Sequence, residues 1–135
     1  MDANSTFSLE INTTSSTVDL LAVTGDVTLS LAGNAILDVT DLGGLTLAPN
    51  TALTFLTYTG TYNGGLFAVN GVTIADDTGT FTVGQNSFHI DYNHGGTGGS
   101  NSVALVSTAV PEPGSLVLAV GGLGMLLGVR RRRRN

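Results

Sequence analysis

Short runs of β-type residues, ended roughly every ten residues by Gly, Asn or Asp, limit the fold of residues 1–109 more than any other feature. Phe7-Ser8-Leu9-Glu10-Ile11 alternates apolar and polar side chains, which places one apolar face inward at a period of two. No comparable stretch has helical spacing, so we predict an all-β body. The predicted strands are 7–11, 17–23, 27–31, 35–39, 45–47, 52–58, 67–69, 72–74, 80–83, 87–92 and 102–107.

The spacing of these strands fits either a β-sandwich or a β-solenoid. Apolar ladders within the first half favour the solenoid, because a coil buries its apolar stripe only when a neighbouring coil covers it. The second half differs, since residues 62–66 and 69–72 contain the Asn-Gly pairs typical of hairpin turns. The sequence therefore predicts a short-stranded β-solenoid that ends in β-hairpins.

Residues 1–109 carry nine of the ten acidic residues and no Lys or Arg. Such a body repels phosphate, so we expect no nucleic-acid partner. The chain has no Cys, no Gly-x-Ser-x-Gly nucleophile motif and no phosphate-binding loop. We therefore expect a protein that is not an enzyme, with no catalytic residues and no cofactor.

Two histidines and a few aspartates are the remaining candidates for chemistry. His89 and Asp91 share one face of a predicted strand, and His94 follows, but a metal site needs a further ligand such as Asp76 or Asp77. Asp and Gly at 76–79 are more typical of a turn than of a calcium loop. We predict a solvated face and a turn, with no metal site.

The sixteen residues from 114 to 129 carry no charged side chain. As a helix they would span about 24 Å, somewhat less than a hydrocarbon core of about 30 Å. Apolar side chains surround the axis with no polar face, unlike a helix at the edge of a globular core. We predict a transmembrane helix whose lipid-facing residues include Leu116, Val117, Leu118, Val120, Leu123, Leu126, Leu127 and Val129.

Five consecutive arginines follow this segment: Arg130, Arg131, Arg132, Arg133 and Arg134. Each costs about 2.5–3.5 kcal/mol at a bilayer centre, and the positive-inside rule places such a cluster in the cytoplasm. Long Arg side chains also reach the headgroups and make up part of the missing length. A basic tail that binds nucleic acid or acidic lipid is the less favoured alternative.

Pro111, Glu112 and Pro113, the apolar segment and the Arg cluster stand in that order at the C-terminus. This order resembles the PEP-CTERM sorting signal of Gram-negative bacteria. The resemblance implies recognition of the Pro-Glu-Pro stretch by an exosortase, a transient inner-membrane anchor, and delivery to the cell surface or an extracellular polysaccharide matrix. It also implies two parts, an exported body (1–109) and a sorting signal (110–135).

The body resembles the end of the repeat region in autotransporter-type passenger proteins, on residues 53–60, 64–67, 88–92 and 103–106. This resemblance implies a right-handed β-helix with a hairpin cap. Residues 1–7 lack the basic and apolar regions of a signal peptide, so we expect a longer parent protein. A tail-anchored cytoplasmic body is the alternative.

Two functions follow from these patterns. The first is a non-enzymatic, exported protein of the cell envelope or extracellular matrix, sorted through its C-terminal signal. The second is a carbohydrate-binding adhesin or carbohydrate-active β-helix whose active part lies further upstream.

Overall fold

Ten β-strands in two five-stranded sheets make up the computed structural model, which describes residues 1, 5–29, 33–95 and 101–109. Within these ranges there is no helix and neither sheet closes on itself, so the all-β prediction is confirmed. The strands are β1 (Thr6–Asn12), β2 (Thr17–Val18), β3 (Leu21–Val23), β4 (Ala35–Asp41), β5 (Ala52–Tyr58), β6 (Phe67–Val69), β7 (Val72–Thr73), β8 (Thr80–Val83), β9 (Asn86–Asp91) and β10 (Asn101–Thr108).

The first sheet has the order β2-β1-β4-β6-β7. Its three central strands, β1, β4 and β6, run parallel, and the two edge strands pair antiparallel with their neighbours. Parallel neighbours need long connections, because the chain must return to the same end of the sheet before it pairs again. The chain makes each return through the second sheet, so successive parallel strands are far apart in sequence.

The second sheet has the order β3-β5-β10-β9-β8. Only β3 and β5 run parallel here, while β10 pairs antiparallel with both β5 and β9, and β8 pairs antiparallel with β9. An isolated parallel bridge also joins Val27 to Tyr62, in the segments that follow β3 and β5. The end of the body is therefore antiparallel, as the sequence predicts for the second half.

One apolar core lies between the two sheets. Phe55 of the second sheet packs against both Phe7 and Phe67 of the first, with each of their ring centroids 6.0 Å from its own. The alternation that predicts the strands is visible in the burial of β9, where Phe88 and Ile90 are fully buried and His89 between them is not. The fully buried large apolar side chains are Phe55, Phe67, Phe88, Leu9, Ile11, Leu29, Leu37, Ile74, Ile90, Leu105 and Val103.

Two predicted strands are wrong in part, and a third does not form. Residues 17–23 form two short strands in different sheets, because the chain crosses between the sheets at Asp19 and Leu20. In the predicted strand 27–31, Val27 makes only an isolated bridge, and residues 30–31 lie outside the described ranges. Residues 45–47 form no strand, since Asn86 donates to the Leu45 carbonyl and accepts from the Leu47 amide in place of a neighbouring strand.

One predicted hairpin is confirmed and one is wrong. Asn70 and Gly71 both have positive φ and join β6 to β7 in a two-residue turn, in which Val69 faces Val72. The predicted hairpin at 62–66 does not form. That segment instead carries the chain from β5 in the second sheet to β6 in the first.

The predicted transmembrane helix and its arginines lie beyond residue 109, outside the described residues. In the part of the chain that the structure does describe, no helix has the length and apolarity needed to cross a bilayer.

The end of β4 is joined to the end of β1 through the carboxylate of Asp41. Its Oδ1 accepts from the backbone nitrogens of Gly43 and Thr13, at 2.8 and 3.1 Å, and its Oδ2 accepts from the Thr13 hydroxyl at 2.8 Å. Burial raises the pKa of Asp41, but these donors outweigh it and hold the pKa below its usual value. Gly43 lies so close that a Cβ there would be 2.5 Å from the backbone nitrogens of Thr13 and Thr14.

We expect Gly43→Ala to lower the free energy of unfolding by about 1–3 kcal/mol, because a methyl group would push the loop off Thr13. The matched control is Gly44→Ala, since a Cβ on Gly44 would meet nothing within 4 Å. That variant should stay within about 0.5 kcal/mol of the parent. Urea denaturation followed by tyrosine fluorescence measures both, and equal stability of the two variants would show that the close approach is not a constraint.

Candidate functional site

The residues that the sequence assigns to sorting all follow Ala109 and lie outside the described residues. The structure therefore neither brings them together nor separates them. They are the Pro-Glu-Pro residues Pro111, Glu112 and Pro113, the eight apolar residues of the predicted membrane segment, and Arg130, Arg131, Arg132, Arg133 and Arg134.

The strand that leads into this segment is held firmly in the body. β10 lies in the middle of the second sheet, and its residues 102–107 are all buried. Near its end, Ser107 donates from its backbone nitrogen to Thr51 and from its hydroxyl to Ala48. Pro111 comes only three residues after the end of β10, so it can lie at most about 11 Å along the chain from Thr108. Any processing at Pro111 must therefore take place close to the folded sheet.

Three carboxylates converge at the end of β9. Asp76, Asp77 and Asp91 each offer an oxygen within 4.8 Å of the others. Two histidines adjoin them, with His94 Nδ1 2.9 Å from Asp91 Oδ2 and His89 Nε2 3.7 Å from Asp77 Oδ1. The structure thus brings together the five residues that the sequence names for possible metal chemistry.

Two of these carboxylates also accept hydrogen bonds from the backbone just after β9. Asp76 Oδ1 accepts from the backbone nitrogen of Tyr92, and Asp91 Oδ1 accepts from that of Asn93, both at 3.0 Å. Burial and the charges of Asp76 and Asp91 raise the pKa of Asp77, while His89 acts in the opposite direction. Residues 76–79 do form a turn, since Asp77 has positive φ and the Gly79 nitrogen donates to the Ala75 carbonyl, and the absence of a metal site stays a prediction.

A row of three tyrosines lies beside this cluster. The ring centroids of Tyr58 and Tyr62 are 6.2 Å apart, and those of Tyr62 and Tyr92 are 5.8 Å apart. Tyr92 is 3% exposed, and its hydroxyl accepts from the Phe67 amide at 2.7 Å and donates to the Ile74 carbonyl at 3.1 Å. Burial raises the pKa of Tyr92 to about 12. The hydrogen bond from the Phe67 amide acts to lower this pKa, whereas the charge of Asp76 contributes to the rise.

The Tyr58 hydroxyl differs from the Tyr92 hydroxyl in its hydrogen bonding. No hydrogen bond joins the Tyr58 hydroxyl to another described residue, and burial raises its pKa. Tyr62 is half-buried and donates to the Gly65 carbonyl. The sequence does not reveal this row as a site, because a tyrosine in or near a strand is typical of a core residue, and the three residues come together only in the fold.

Comparison with protein families decides the nature of the C-terminal segment. Residues 109–134 match the PEP-CTERM protein-sorting motif. The resemblance of the tail is therefore confirmed, although the motif covers only about a fifth of the chain. No curated protein and no solved structure matches the chain, so the autotransporter-type likeness of the body stays a prediction.

The PEP-CTERM motif indicates that the chain is an exported protein, sorted by an exosortase and held transiently at a membrane. The motif begins at residue 109, one residue after the end of β10. Sorting signal and folded body are therefore adjacent in the chain.

We expect Tyr92→Phe to lower the free energy of unfolding by about 1–3 kcal/mol at neutral pH, because it leaves a buried amide and a buried carbonyl without their partner. Tyr58→Phe is the matched control and should stay within about 0.5 kcal/mol of the parent. Urea denaturation of both variants measures this. Equal losses in the two variants would contradict the assigned hydrogen bonds.

Stability should also fall at alkaline pH. Because the pKa of Tyr92 is about 12 in the folded protein and about 10 in an unfolded chain, its contribution is complete below pH 10 and is lost as the pH rises toward 12. Tyr92→Phe should flatten this part of the stability profile. An unchanged alkaline profile in the variant would show that Tyr92 does not titrate in this way.

Proposed function

We propose that this chain is a non-enzymatic, exported protein of the cell envelope or extracellular matrix, which an exosortase sorts and processes through its C-terminal signal. The observation that carries the proposal is the match of residues 109–134 to the PEP-CTERM motif. The lack of Cys and Lys in the whole chain supports a non-enzymatic role, since it removes thiol and amine nucleophiles.

Three parts of the signal have separate roles in this proposal. Pro111, Glu112 and Pro113 form the processing site, where two fixed φ angles keep the chain extended for a membrane-embedded enzyme. The apolar segment at 116–129 enters the inner membrane as a helix. The five arginines stay in the cytoplasm and prevent the segment from passing through the bilayer.

The body at 1–109 is the cargo of this signal, and we propose that its first half is a β-solenoid. Residues about 30 to 35 positions apart pair in parallel in the first sheet, in the second sheet and in the segments that follow β3 and β5. This recurring spacing supports the proposal, because successive coils of a solenoid stack on one another in this way. The pairs are Thr6 with Ile36, Leu21 with Leu56 and Val27 with Tyr62. The β8–β10 strands would then cap the last coil, as in the autotransporter-type proteins that the body resembles.

Before processing, the end of β10 must lie next to the membrane. Thr108 is fixed in the sheet, where its hydroxyl donates to the Ser87 carbonyl at 3.3 Å, and only a few residues separate it from the apolar segment. The eight residue steps from Thr108 to Leu116 span at most about 29 Å, so a folded body would stay close to the outer face of the inner membrane. Cleavage would release it toward the cell surface or the extracellular matrix.

We expect replacement of Pro111, Glu112 and Pro113 by Ala to leave an unprocessed, membrane-retained form in a host that carries an exosortase. Loss of the extended recognition stretch is the reason. The chain offers a matched control, because Pro49 and Glu10 are its one other proline and one other glutamate, and both are exposed. Immunoblots of membrane and released fractions compare the two variants with the parent.

Processing of the Pro49→Ala, Glu10→Ala control should equal that of the parent. If the tail variant is shortened and released as efficiently as the control, the assignment of the processing site fails. A host without an exosortase should retain all three proteins at full length.

A further inference from the structure

Two adjoining cavities open at the start of β10. Each has a volume of about 460 Å³, within the range of about 300–1,000 Å³ that ligand pockets occupy. Tyr58 and Asn101, which face each other across β5 and β10, line both cavities. The two cavities therefore adjoin at Tyr58 and Asn101, and together they are called the cleft.

The cleft combines aromatic rings with polar groups that have spare hydrogen-bonding capacity. Tyr58, Tyr62 and Tyr92 line one of the two cavities, where Tyr62 is half-buried and presents the most ring surface, while Tyr58 and Tyr92 are buried at its base. Asn101 uses its Nδ2 to donate to the Gly60 carbonyl at 2.7 Å, which leaves its Oδ1 as an acceptor. Asp76 uses only Oδ1 for the Tyr92 amide among the described residues, which leaves its second oxygen.

Hydroxyl groups complete the lining. Thr54 and Thr57 lie in one cavity and Thr61 in the other, and the Tyr58 hydroxyl makes no hydrogen bond to another described residue. A sugar ring presents hydroxyls around its edge and an apolar C–H face, so it matches a lining of hydroxyl, amide and carboxylate groups beside aromatic rings. Aromatic residues with polar tips suit such mixed ligands.

The charge of the body decides which sugars fit. Residues 1–109 contain no Lys or Arg, and the Asp76 carboxylate lies in the lining. An anionic sugar would therefore meet a negative charge and no permanent cation. The cleft therefore favours uncharged sugars.

The backbone around the cleft argues against a peptide ligand. Peptides commonly bind by adding a strand to a free sheet edge. Both strands that form the wall are internal, since β5 lies between β3 and β10, and β10 lies between β5 and β9. Their free edges are short, since only residues 52–55 of β5 lack a partner in β3 and only residues 101–103 of β10 lack a partner in β9, so little backbone is free for an added strand.

We propose that this cleft binds a neutral oligosaccharide. The cleft lies at the start of β10 and the sorting motif follows its end, which are about 23 Å apart along the strand. A ligand held there is kept away from the membrane-proximal end of the body. The inference goes beyond sorting and does not depend on it.

Titration calorimetry on the full chain in phospholipid nanodiscs tests this, because nanodiscs avoid glycoside detergents. The probes are neutral hexasaccharides of glucose, galactose or mannose, with hexagalacturonate as the anionic comparison. At least one neutral probe should bind with a Kd of about 1 mM or tighter. The double variant Tyr58→Phe, Asp76→Asn should weaken that binding about tenfold, and Thr61→Val several-fold.

Asp38→Asn and Thr82→Val are the matched controls, because both residues are exposed on strands outside the cleft. They should bind as the parent does. The proposal is overturned if no neutral probe binds, if hexagalacturonate binds equally well, or if cleft variants and controls bind alike. A chain that an exosortase still processes but that binds no neutral probe would overturn this inference and leave the proposed sorting intact.

Discussion

The fold of the body depends on parallel pairing between strands that are distant in sequence. Neither sheet can bury its apolar face until these strands lie side by side. β1, β4 and β6 line up in the first sheet, and β3 and β5 in the second, so each return of the chain passes through the other sheet. Phe55 and Phe67 then meet in the shared core. Burial of each such side chain contributes on the order of 1.5–3 kcal/mol, and a chain without disulfides has no covalent cross-link to replace it.

The strands themselves are largely predictable from sequence. Strands 52–58, 67–69 and 80–83 have the predicted bounds, because each is a run of β-branched, apolar or aromatic residues between turn residues. The Asn70-Gly71 hairpin is predictable for the same local reason, since both residues adopt positive φ. Local chemistry decides these elements.

Pairing is harder to predict, because it depends on residues that are far apart. Nothing near residue 46 indicates that Asn86 will satisfy the backbone of Leu45 and Leu47 and so replace a strand. The tyrosine row and the convergence of Asp76, Asp77 and Asp91 likewise arise from tertiary contacts. The sorting signal is the opposite case, since its three parts stand in order along the chain and the sequence alone identifies them.

Positive and negative charges lie in different parts of the chain. Every Arg lies in the sorting signal and nearly every acidic residue lies in the body, which agrees with the proposed topology, in which the cationic cluster stays in the cytoplasm. Mass spectrometry of the protein recovered from the surface or medium of an exosortase-bearing host tests this most directly. The account predicts an intact β body whose C-terminus lies before the apolar segment, without any peptide from 116–135. Recovery of the full chain through Asn135 from the medium, or of the whole population from the cytosol, would contradict it.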